Sequence, residues 1–313
     1  MSQQVSTREA YGKTLVELGK ENPDVVVLDA DLSQSTMTRL FASEFPGRFF
    51  DCGIAEQNMV GIAAGLAASG KIPFASTFAV FVPGRCFDQI RMSIAQPGRN
   101  VKLVTTHAGI SVGEDGTSHQ SIEDLSLICS LPGFTVIVPA DAIETAQAVR
   151  AAAESYGPFY IRLWRPKLPL VYSEDYRFNL GKAVTMRQGG DATIIAIGTM
   201  VAMALEAAEN LKRKGIDCRV LNMPTLKPID EAAIIEAATE TGAVVTAEEH
   251  LEHGGLGSII AQVLAKHQPV PMEFIAIKDT YCKSGKAAEL WQRYGLTAED
   301  IEKAVHAVIK RKR

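Results

Sequence analysis

The chain has 313 residues, of which 47% are hydrophobic and 22% are charged, and this is enough apolar material for two packed domains. Its formal net charge of -4 comes without a basic stripe, so the composition argues against a nucleic-acid partner. No apolar run is as long as a membrane span and the five cysteines form no CxxC pair, which predicts a cytoplasmic protein with reduced thiols and no membrane partner.

Strand-like runs alternate with helix-like runs along the chain, which is typical of parallel α/β architecture. The strands of the first block are predicted at VVVLDA, RFFDCG, KIPFAST, NVKLVTT, TVIVPA and FYIRLW. Those of a second block are predicted at ATIIAIGT, CRVLNM, AVVTAEE and MEFIAIK. A segment with prolines, mixed charge and no sustained period separates the blocks. We therefore predict an α/β protein with two doubly wound, mostly parallel-sheet domains, at residues 1–166 and 186–313, joined by a linker at 167–185.

The stretch DCGIAEQNMVGIAAGLAASG, residues 51–70, places one carboxylate where a strand passes into a helix. Ligands of open α/β sheets bind at the carboxyl ends of the strands, so Glu56 is a candidate functional residue. The helix behind it is almost uncharged and is predicted to be buried. Taken alone, Glu56 has an equally good interpretation as a carboxylate that interacts favourably with the helix dipole.

Polar or aromatic side chains follow four strands of the first block. If these strands are parallel neighbours, the side chains meet at one edge of the sheet, although single polar residues in such places often only cap the next helix. Phe78 and Phe81 would by themselves be core residues, and a lone histidine is more often structural than catalytic. The residues that follow the strands are Asp31, Ser35, Glu56, Thr77, Phe78 and His107.

The loop GEDGTSHQ, residues 113–120, is a more specific signal. Asp115 and His119 are spaced so that the carboxylate could orient the imidazole, or so that both could meet a substrate hydroxyl. Histidine titrates near neutrality and suits proton transfer. A solvated turn explains the same spacing, and the residues alone leave these alternatives open. The sequence EHLEH at 249–253, followed by GGLG, favours a structural or interface role over a metal site.

The segments GIAEQNM, STFAVF, VTTHAGISVGEDGTSHQ and FYIRLW together resemble the pyrimidine-binding domain of transketolase, followed by the transketolase C-terminal domain. The resemblance covers nearly the whole chain. It implies thiamine diphosphate as cofactor, with Glu56 at N1′ of the aminopyrimidine, where a buried carboxyl can share a proton with the ring. It implies Phe81 stacked on the pyrimidine with Phe78 beside it, and it places Asp31 in the cofactor site. A third aromatic that the family often carries three residues further on is replaced by Gly84.

The resemblance also implies a site for the sugar substrate. Asp115 and His119 match residues that contact the hydroxyls and carbonyl of the sugar, so that the implied catalytic residues are Glu56, His107, Asp115 and His119. Guanidinium groups bind phosphate through paired hydrogen bonds, which suits the implied phosphate site. The residues that match this phosphate site are Arg8, Ser35, His107 and Arg162.

The diphosphate-binding GDG motif of transketolases, with its following Asn, does not occur in the chain, which is about half as long as the single-chain enzyme. The resemblance therefore implies the C-terminal subunit of a split transketolase. The partner is expected to be an N-terminal subunit with the GDG and Asn motif, which brings the ligands of Mg²⁺ or Ca²⁺. The expected assembly is an α2β2 heterotetramer that transfers a two-carbon ketol unit between sugar phosphates.

Two other interpretations remain open on the sequence. The beta subunit of a 2-oxo acid dehydrogenase shares the Glu segment, and deoxyxylulose-phosphate synthase shares much of the loop. The phosphate-site residues and GEDGTSHQ favour sugar phosphates over an acyl-carrier partner. A non-catalytic α/β scaffold is the third possibility, and the joint presence of Glu56, His107, Asp115 and His119 argues against it.

Overall fold

A computed structural model describes residues 4–312. Its strands are β1 (Gln4–Ser6), β2 (Val25–Asp29), β3 (Phe49–Asp51), β4 (Ile72–Phe78), β5 (Lys102–Thr106), β6 (Thr135–Ile137), β7 (Phe159–Arg162), β8 (Lys167–Pro169), β9 (Val184–Arg187), β10 (Ala192–Ala196), β11 (Cys218–Asn222), β12 (Thr225–Lys227), β13 (Val244–Leu251) and β14 (Met272–Ile277). Its helices are α1 (Thr7–Glu21), α2 (Ser33–Thr36), α3 (Arg39–Glu44), α4 (Glu56–Ala68), α5 (Phe81–Gln89), α6 (Asp124–Cys129), α7 (Ala142–Glu154), α8 (Met200–Arg213), α9 (Glu231–Thr241), α10 (Leu256–His267), α11 (Ala287–Arg293) and α12 (Ala298–Lys310).

Two large sheets organise the chain. The first has the strand order β12-β6-β7-β5-β4-β2-β3, and its strands are parallel except for β12. The second has the order β14-β13-β10-β11-β9, with β9 antiparallel at one edge. The predicted α/β class with two mostly parallel sheets is therefore confirmed.

Both faces of the first sheet are covered, as its sequence pattern requires. All five residues of β2, VVVLD, are buried. Val26 and Leu28 pack into one apolar cluster, whereas Val25 and Val27 pack into another on the opposite face. Continuously apolar strands are expected in parallel sheets because helices cover both sides.

The two sheets share packing rather than standing apart. β12 lies in the second half of the chain but pairs antiparallel with β6 at the edge of the first sheet. Trp164, just after β7, is fully buried, and a Cβ atom at Gly198 would come within 2.2 Å of its ring. The second half of the chain therefore contacts the first sheet at its β6 edge and just beyond the carboxyl end of β7.

The predicted burial of the helix after Glu56 holds for one side of α4 and is wrong for the other. Met59, Val60 and Ala63 pack against the sheet, but the opposite side of α4 has no covering element within residues 4–312. After Glu56, α4 has small or uncharged side chains on all sides. Its composition therefore could not distinguish a helix that is buried all round from one with an uncovered apolar side. We call the uncovered residues Gly61, Ile62, Gly65 and Ala68, with Met92 beside them, the open face of α4.

No helix in the described part of the chain combines the length and the hydropathy that crossing a membrane requires.

Candidate active site

The polar and aromatic residues singled out in the sequence lie along one edge of the first sheet. Asp31 follows β2, Glu56 opens α4 after β3, Phe78 ends β4 and His107 follows β5. Their strands are neighbours in the order β3-β2-β4-β5 and run parallel. The carboxyl ends of these strands therefore present all four residues on the same side of the molecule.

Two of these residues have backbone conformations that amino acids other than glycine rarely adopt. The φ angle is 62° at Asp31 and 59° at His107. Non-glycine residues in this region cost of order 1–3 kcal/mol and cluster at functional sites. Both strained residues lie within two positions of the end of a strand of the first sheet, Asp31 after β2 and His107 after β5. Their backbone conformation turns the chain at the edge of the sheet. Asp31 is exposed, and its backbone N–H donates a hydrogen bond of 3.2 Å to Oδ1 of Asp51.

A wall of aromatic rings stands at the centre of this edge. The rings of Phe78 and His107 stack with centroids 3.8 Å apart, and Phe81 stacks beside Phe78 at 5.8 Å. His119 meets this wall edge-on, with its centroid 5.5 Å from that of Phe81. Strand ends and the loop at residues 113–120 are thus brought together, which creates a surface suited to a planar aromatic ligand.

The carboxylate of Glu56 lies next to this wall and is almost fully buried, with 6% of the residue exposed. Its Oε1 accepts a hydrogen bond of 2.7 Å from Nη1 of Arg85, whose guanidinium also lies 4.0 Å from the centroid of Phe81. Arg85 was not singled out in the sequence. It stands on α5, four residues after Phe81, which is the spacing that places two side chains on one helix face.

His107 is neutral in this environment. Its Nδ1 is 2.8 Å from Oγ1 of Thr106, and its side chain is buried. Burial lowers the pKa of His107 to about 3, and the nearby positive charges of Arg8 and Arg165 contribute to this shift. At neutral pH this imidazole can therefore contribute a hydrogen bond but no positive charge.

Arg8 and Arg165 form a cationic pair beside His107. Nη1 of Arg8 donates to the backbone carbonyl of Ser35 at 2.6 Å, and Nη2 donates to the carbonyl of Arg165 at 3.0 Å. Burial and the charge of Arg165 lower the pKa of Arg8. Two like charges held close together are suited to binding an anion, since a bound anion would relieve their repulsion.

The structure contradicts the assignment of Arg162 to a phosphate site. Arg162 is fully buried and forms two hydrogen bonds with Asp124, 2.7 Å from Nε to Oδ2 and 3.1 Å from Nη2 to Oδ1. Its Nη2 also donates to the backbone carbonyls of Ser121 and Glu249. The residue lies within β7, so its side chain enters the packing between sheet and helix and does not reach the open edge.

Arg165 lies where the sequence had suggested Arg162. It follows the end of β7, its side chain is 37% exposed, and its Nη1 lies 3.7 Å from Oδ1 of Asp115 and 3.7 Å from Oε2 of Glu114. In the sequence analysis, candidate residues were those that follow a strand, as for β2 to β5. Applied to β7, the same criterion selects Arg165, because it lies three residues beyond Arg162, where the strand ends.

The loop at residues 113–120 does not pair Asp115 with His119. Nδ1 of His119 is 3.0 Å from Oγ of Ser118, whereas Asp115 faces Arg165. Two short 3-10 turns, Ile110–Asp115 and Thr117–His119, build this part of the chain. Both side chains remain at least partly exposed, His119 at the aromatic wall and Asp115 beside Arg165.

In the EHLEH segment, Glu249 and His250 are buried, as is Glu248 before them, whereas Glu252 and His253 are at least partly exposed. Glu248 accepts hydrogen bonds of 2.8 Å from the backbone N–H groups of Leu256 and Gly257, at the start of α10. Nδ1 of His250 lies 2.7 Å from the carbonyl of Leu251. Within residues 4–312 no three acidic, histidine or cysteine side chains come together in a way that could hold a metal ion.

Comparisons with known proteins agree on one family. The family model for the transketolase pyrimidine binding domain matches residues 3–171, and the model for the transketolase C-terminal domain matches residues 181–301. A 6-deoxy-6-sulfo-D-fructose transketolase subunit of a Clostridium species is 44% identical over 305 residues, which cover 97% of this chain and 95% of that protein. An apulose-4-phosphate transketolase subunit of Phocaeicola vulgatus is 39% identical, with 98% of each chain covered.

A solved structure shows the same architecture. It is described as a split gene transketolase in an inactive beta4 tetramer. It is 54% identical to this chain, and the superposition gives a TM-score of 0.93 over 99% of this chain and 100% of the other.

Proposed function

Because this chain belongs to the transketolase family, we propose that it is the C-terminal subunit of a split transketolase that transfers a two-carbon ketol unit from a ketose phosphate to an aldose phosphate. The arrangement that carries this proposal is the aromatic wall of Phe78 and Phe81 beside the buried carboxylate of Glu56. The names of the compared relatives as subunits support the split organisation.

The residues at the sheet edge fit the aminopyrimidine of thiamine diphosphate. Phe78 and Phe81 lie within 18° of parallel and offer a face on which a flat heteroaromatic ring can stack. Glu56 offers an acceptor at the margin of that face, where it is hydrogen-bonded to Arg85. We expect Arg85 to lose part of its contact with Glu56 when a ring occupies the site, because the guanidinium of Arg85 and the bound ring would both lie against Phe81.

When bound, thiamine diphosphate supplies the carbanion chemistry that breaks and forms the carbon–carbon bond. Glu56 would hold the proton at N1′ of the pyrimidine, and its burial keeps competing water away from that proton. Phe78 and Phe81 would fix the plane of the ring. His107, which is neutral at physiological pH, would donate a hydrogen bond without adding charge.

The cationic pair would bind the phosphate of the sugar. Arg8 and Arg165 would supply the positive charge, with Ser35 and His107 nearby. Arg165 would take the role that the resemblance implied for Arg162. Asp115 and His119 would contact the sugar hydroxyls and carbonyl. One of the compared relatives is named for a sulfonated sugar and another for a sugar phosphate, and both of these sugars are anionic.

The diphosphate and its divalent metal, Mg²⁺ or Ca²⁺, would be held by a partner chain. Within residues 4–312 no acidic cluster suited to a metal exists, and the open face of α4 belongs to the helix that Glu56 begins. An apolar helix side beside a half-formed site is well suited to the docking of an N-terminal subunit that carries the GDG and Asn motif. An α2β2 heterotetramer follows if the pairing is symmetric.

The test is reconstitution with the GDG-bearing partner. We expect the pair, with thiamine diphosphate and magnesium, to convert ketose and aldose phosphates by ketol transfer, and the chain alone to bind the cofactor weakly. Tight binding of thiamine diphosphate and magnesium by the chain alone would contradict the divided site. Decarboxylation of pyruvate with little ketol transfer would favour the 2-oxo acid dehydrogenase type instead.

A further inference from the structure

A buried carboxylate of the second half of the chain reaches into the loop that carries Asp115 and His119. We call residues 109–120 the substrate loop. Oε1 of Glu249 accepts a hydrogen bond of 2.6 Å from the backbone N–H of Ser111, and Oε2 accepts one of 2.8 Å from Oγ1 of Thr199. Glu249 is 1% exposed and lies on β13, in the second sheet.

The substrate loop is shaped to accept this carboxylate. Gly109 has a φ angle of 73°, and a Cβ atom at this position would lie 2.3 Å from Oε1 of Glu249. Glycine is therefore required here both for its backbone conformation and for the space that the glutamate fills. Thr199, which precedes α8, holds the other carboxylate oxygen, so that the orientation of Glu249 is set by its own half of the chain.

A second segment of the same half lies along the far end of the loop. Oγ of Ser284 donates to the carbonyl of Glu114 at 2.6 Å, and Nε2 of Gln120 donates to the carbonyl of Lys283 at 3.0 Å. The loop is thus held at its start by Glu249 and towards its end by residues 283–284. Local openings are suppressed where such long-range contacts anchor a loop.

We propose that the carboxyl-terminal half of the chain sets the position of the substrate loop, and that Glu249 is the positioning residue at its start. The proposal rests on the proposed function, since the loop matters for catalysis only if Asp115 and His119 meet the sugar. Glu249 itself is 1% exposed, and both of its carboxylate oxygens are occupied by Ser111 and Thr199. It acts through the backbone N–H of Ser111. Ser111 lies four residues after His107 and eight residues before His119, so its position affects both.

The consequence for the site is geometric. The ring of His119 packs 5.5 Å from Phe81 and 6.2 Å from Phe78, so a displaced loop also displaces this imidazole relative to the aromatic wall. Small misplacements of reacting or binding groups cost large factors in rate. The second half of the chain would in this way contribute to catalysis, because Glu249 on β13 sets the position of the loop that carries His119.

The experiment compares hydrogen exchange in the substrate loop of the full-length chain for three variants. Glu249→Ala removes the acceptor, and we expect amide exchange in residues 110–113 to accelerate about tenfold or more, the size expected for a lost buried hydrogen bond. Glu249→Gln keeps the shape and an acceptor oxygen, so it should restore slow exchange. Glu248→Ala is the matched control, since this neighbouring glutamate is equally buried but contacts α10 instead of the loop.

Activity of the reconstituted pair supplies the second measurement. We expect Glu249→Ala to lower kcat/KM about tenfold or more, with most of this restored by Glu249→Gln. If Glu249→Ala does not fold, Thr199→Val removes only the hydroxyl that orients the carboxylate and should produce a smaller acceleration of the same amides.

Three outcomes would overturn the proposal. They are unchanged loop exchange in Glu249→Ala, equal acceleration in Glu248→Ala, and faster loop exchange with an unchanged kcat/KM. Failure of the proposed function is distinguishable from these, because it shows as absent ketol transfer in the wild-type pair, whereas exchange in the loop is measured without any substrate.

Discussion

The carboxylate of Glu56 accepts a hydrogen bond of 2.7 Å from the guanidinium of Arg85, and this guanidinium also covers the ring of Phe81 at 4.0 Å. One arginine therefore connects the buried carboxylate and the aromatic wall. The contact needs an acceptor oxygen at Glu56 but does not need a negative charge there. This distinction allows the proton-holding role of Glu56 to be tested apart from its structural role.

Glu56→Gln keeps an acceptor oxygen for Arg85 and removes the titratable group. We expect kcat/KM of the reconstituted pair to fall by about 10²–10⁴-fold, the usual range for a positioned acid or base, with little change in thermal unfolding. Steady-state kinetics and a melting curve check this. Asp88→Asn is the control, because Asp88 is an exposed acid of the same helix as Arg85. Activity within about threefold of wild type would refute the role of Glu56.

Arg165→Ala should weaken recognition of the sugar phosphate. A charge-assisted hydrogen bond contributes about 1.5–3 kcal/mol, so we expect KM for phosphorylated sugars to rise roughly tenfold to a hundredfold. KM for unphosphorylated substrates should change much less. Lys167→Ala, an exposed cation two residues further on, is the control. An equal rise in both KM values would show that Arg165 does not bind the phosphate.

Arg162→Met should instead act on stability. Asp124 would be left buried without its cationic partner, and breaking such a pair costs about 3–5 kcal/mol in the free energy of unfolding. Denaturant unfolding measures this loss. The more exposed Arg150, which bridges Glu17 and Glu21, is the comparison, and its replacement by alanine should cost about 1 kcal/mol or less. A stable Arg162→Met variant with a raised KM would return Arg162 to the phosphate site.

The neutral state of His107 predicts a defined pH dependence of stability. Its pKa is about 3 in the folded chain and near 6.5 when exposed, so below pH 6.5 the unfolded state binds a proton that the folded state does not. Its contribution to stability is therefore complete above pH 6.5 and is lost as the pH falls towards 3.

His107→Asn carries no titratable group at this position. The difference in unfolding free energy between wild type and this variant should accordingly shrink between about pH 6.5 and pH 4, and should be constant above about pH 7. Denaturant unfolding at several pH values measures this difference. The contributions of the other titratable groups cancel in it, because these groups are the same in wild type and variant. A difference that is independent of pH would contradict the neutral, buried state of His107.

The open face of α4 is expected to bind the partner. Ile62 is 38% exposed there, and Ile62→Arg would place a charge and extra bulk against the docking surface. We expect at least a roughly tenfold loss of affinity for the partner, measured by titration calorimetry, without loss of folding. Tyr156→Arg, at a residue that is 82% exposed beyond the end of α7, should bind normally. Normal binding by Ile62→Arg would place the interface elsewhere.

The sequence by itself determined the architecture and the edge on which the site lies. Apolar runs such as VVVLD and the helical periods between them act locally, and a parallel α/β sheet collects whatever follows its strands at one edge. For this reason the sequence alone predicts that Glu56, Phe78 and His107 lie at the same edge. The motif around Asp115 and His119 then indicated the family.

Only the tertiary structure decided which side chains point where. Arg162 and Arg165 both belong to RLWR, but one enters the interior towards Asp124 and the other reaches the edge, because one lies in the strand and one beyond it. Arg85 approaches Glu56 across 29 residues, and Glu249 approaches Ser111 across 138. Such contacts depend on how separate elements pack, and no local period in the sequence records them.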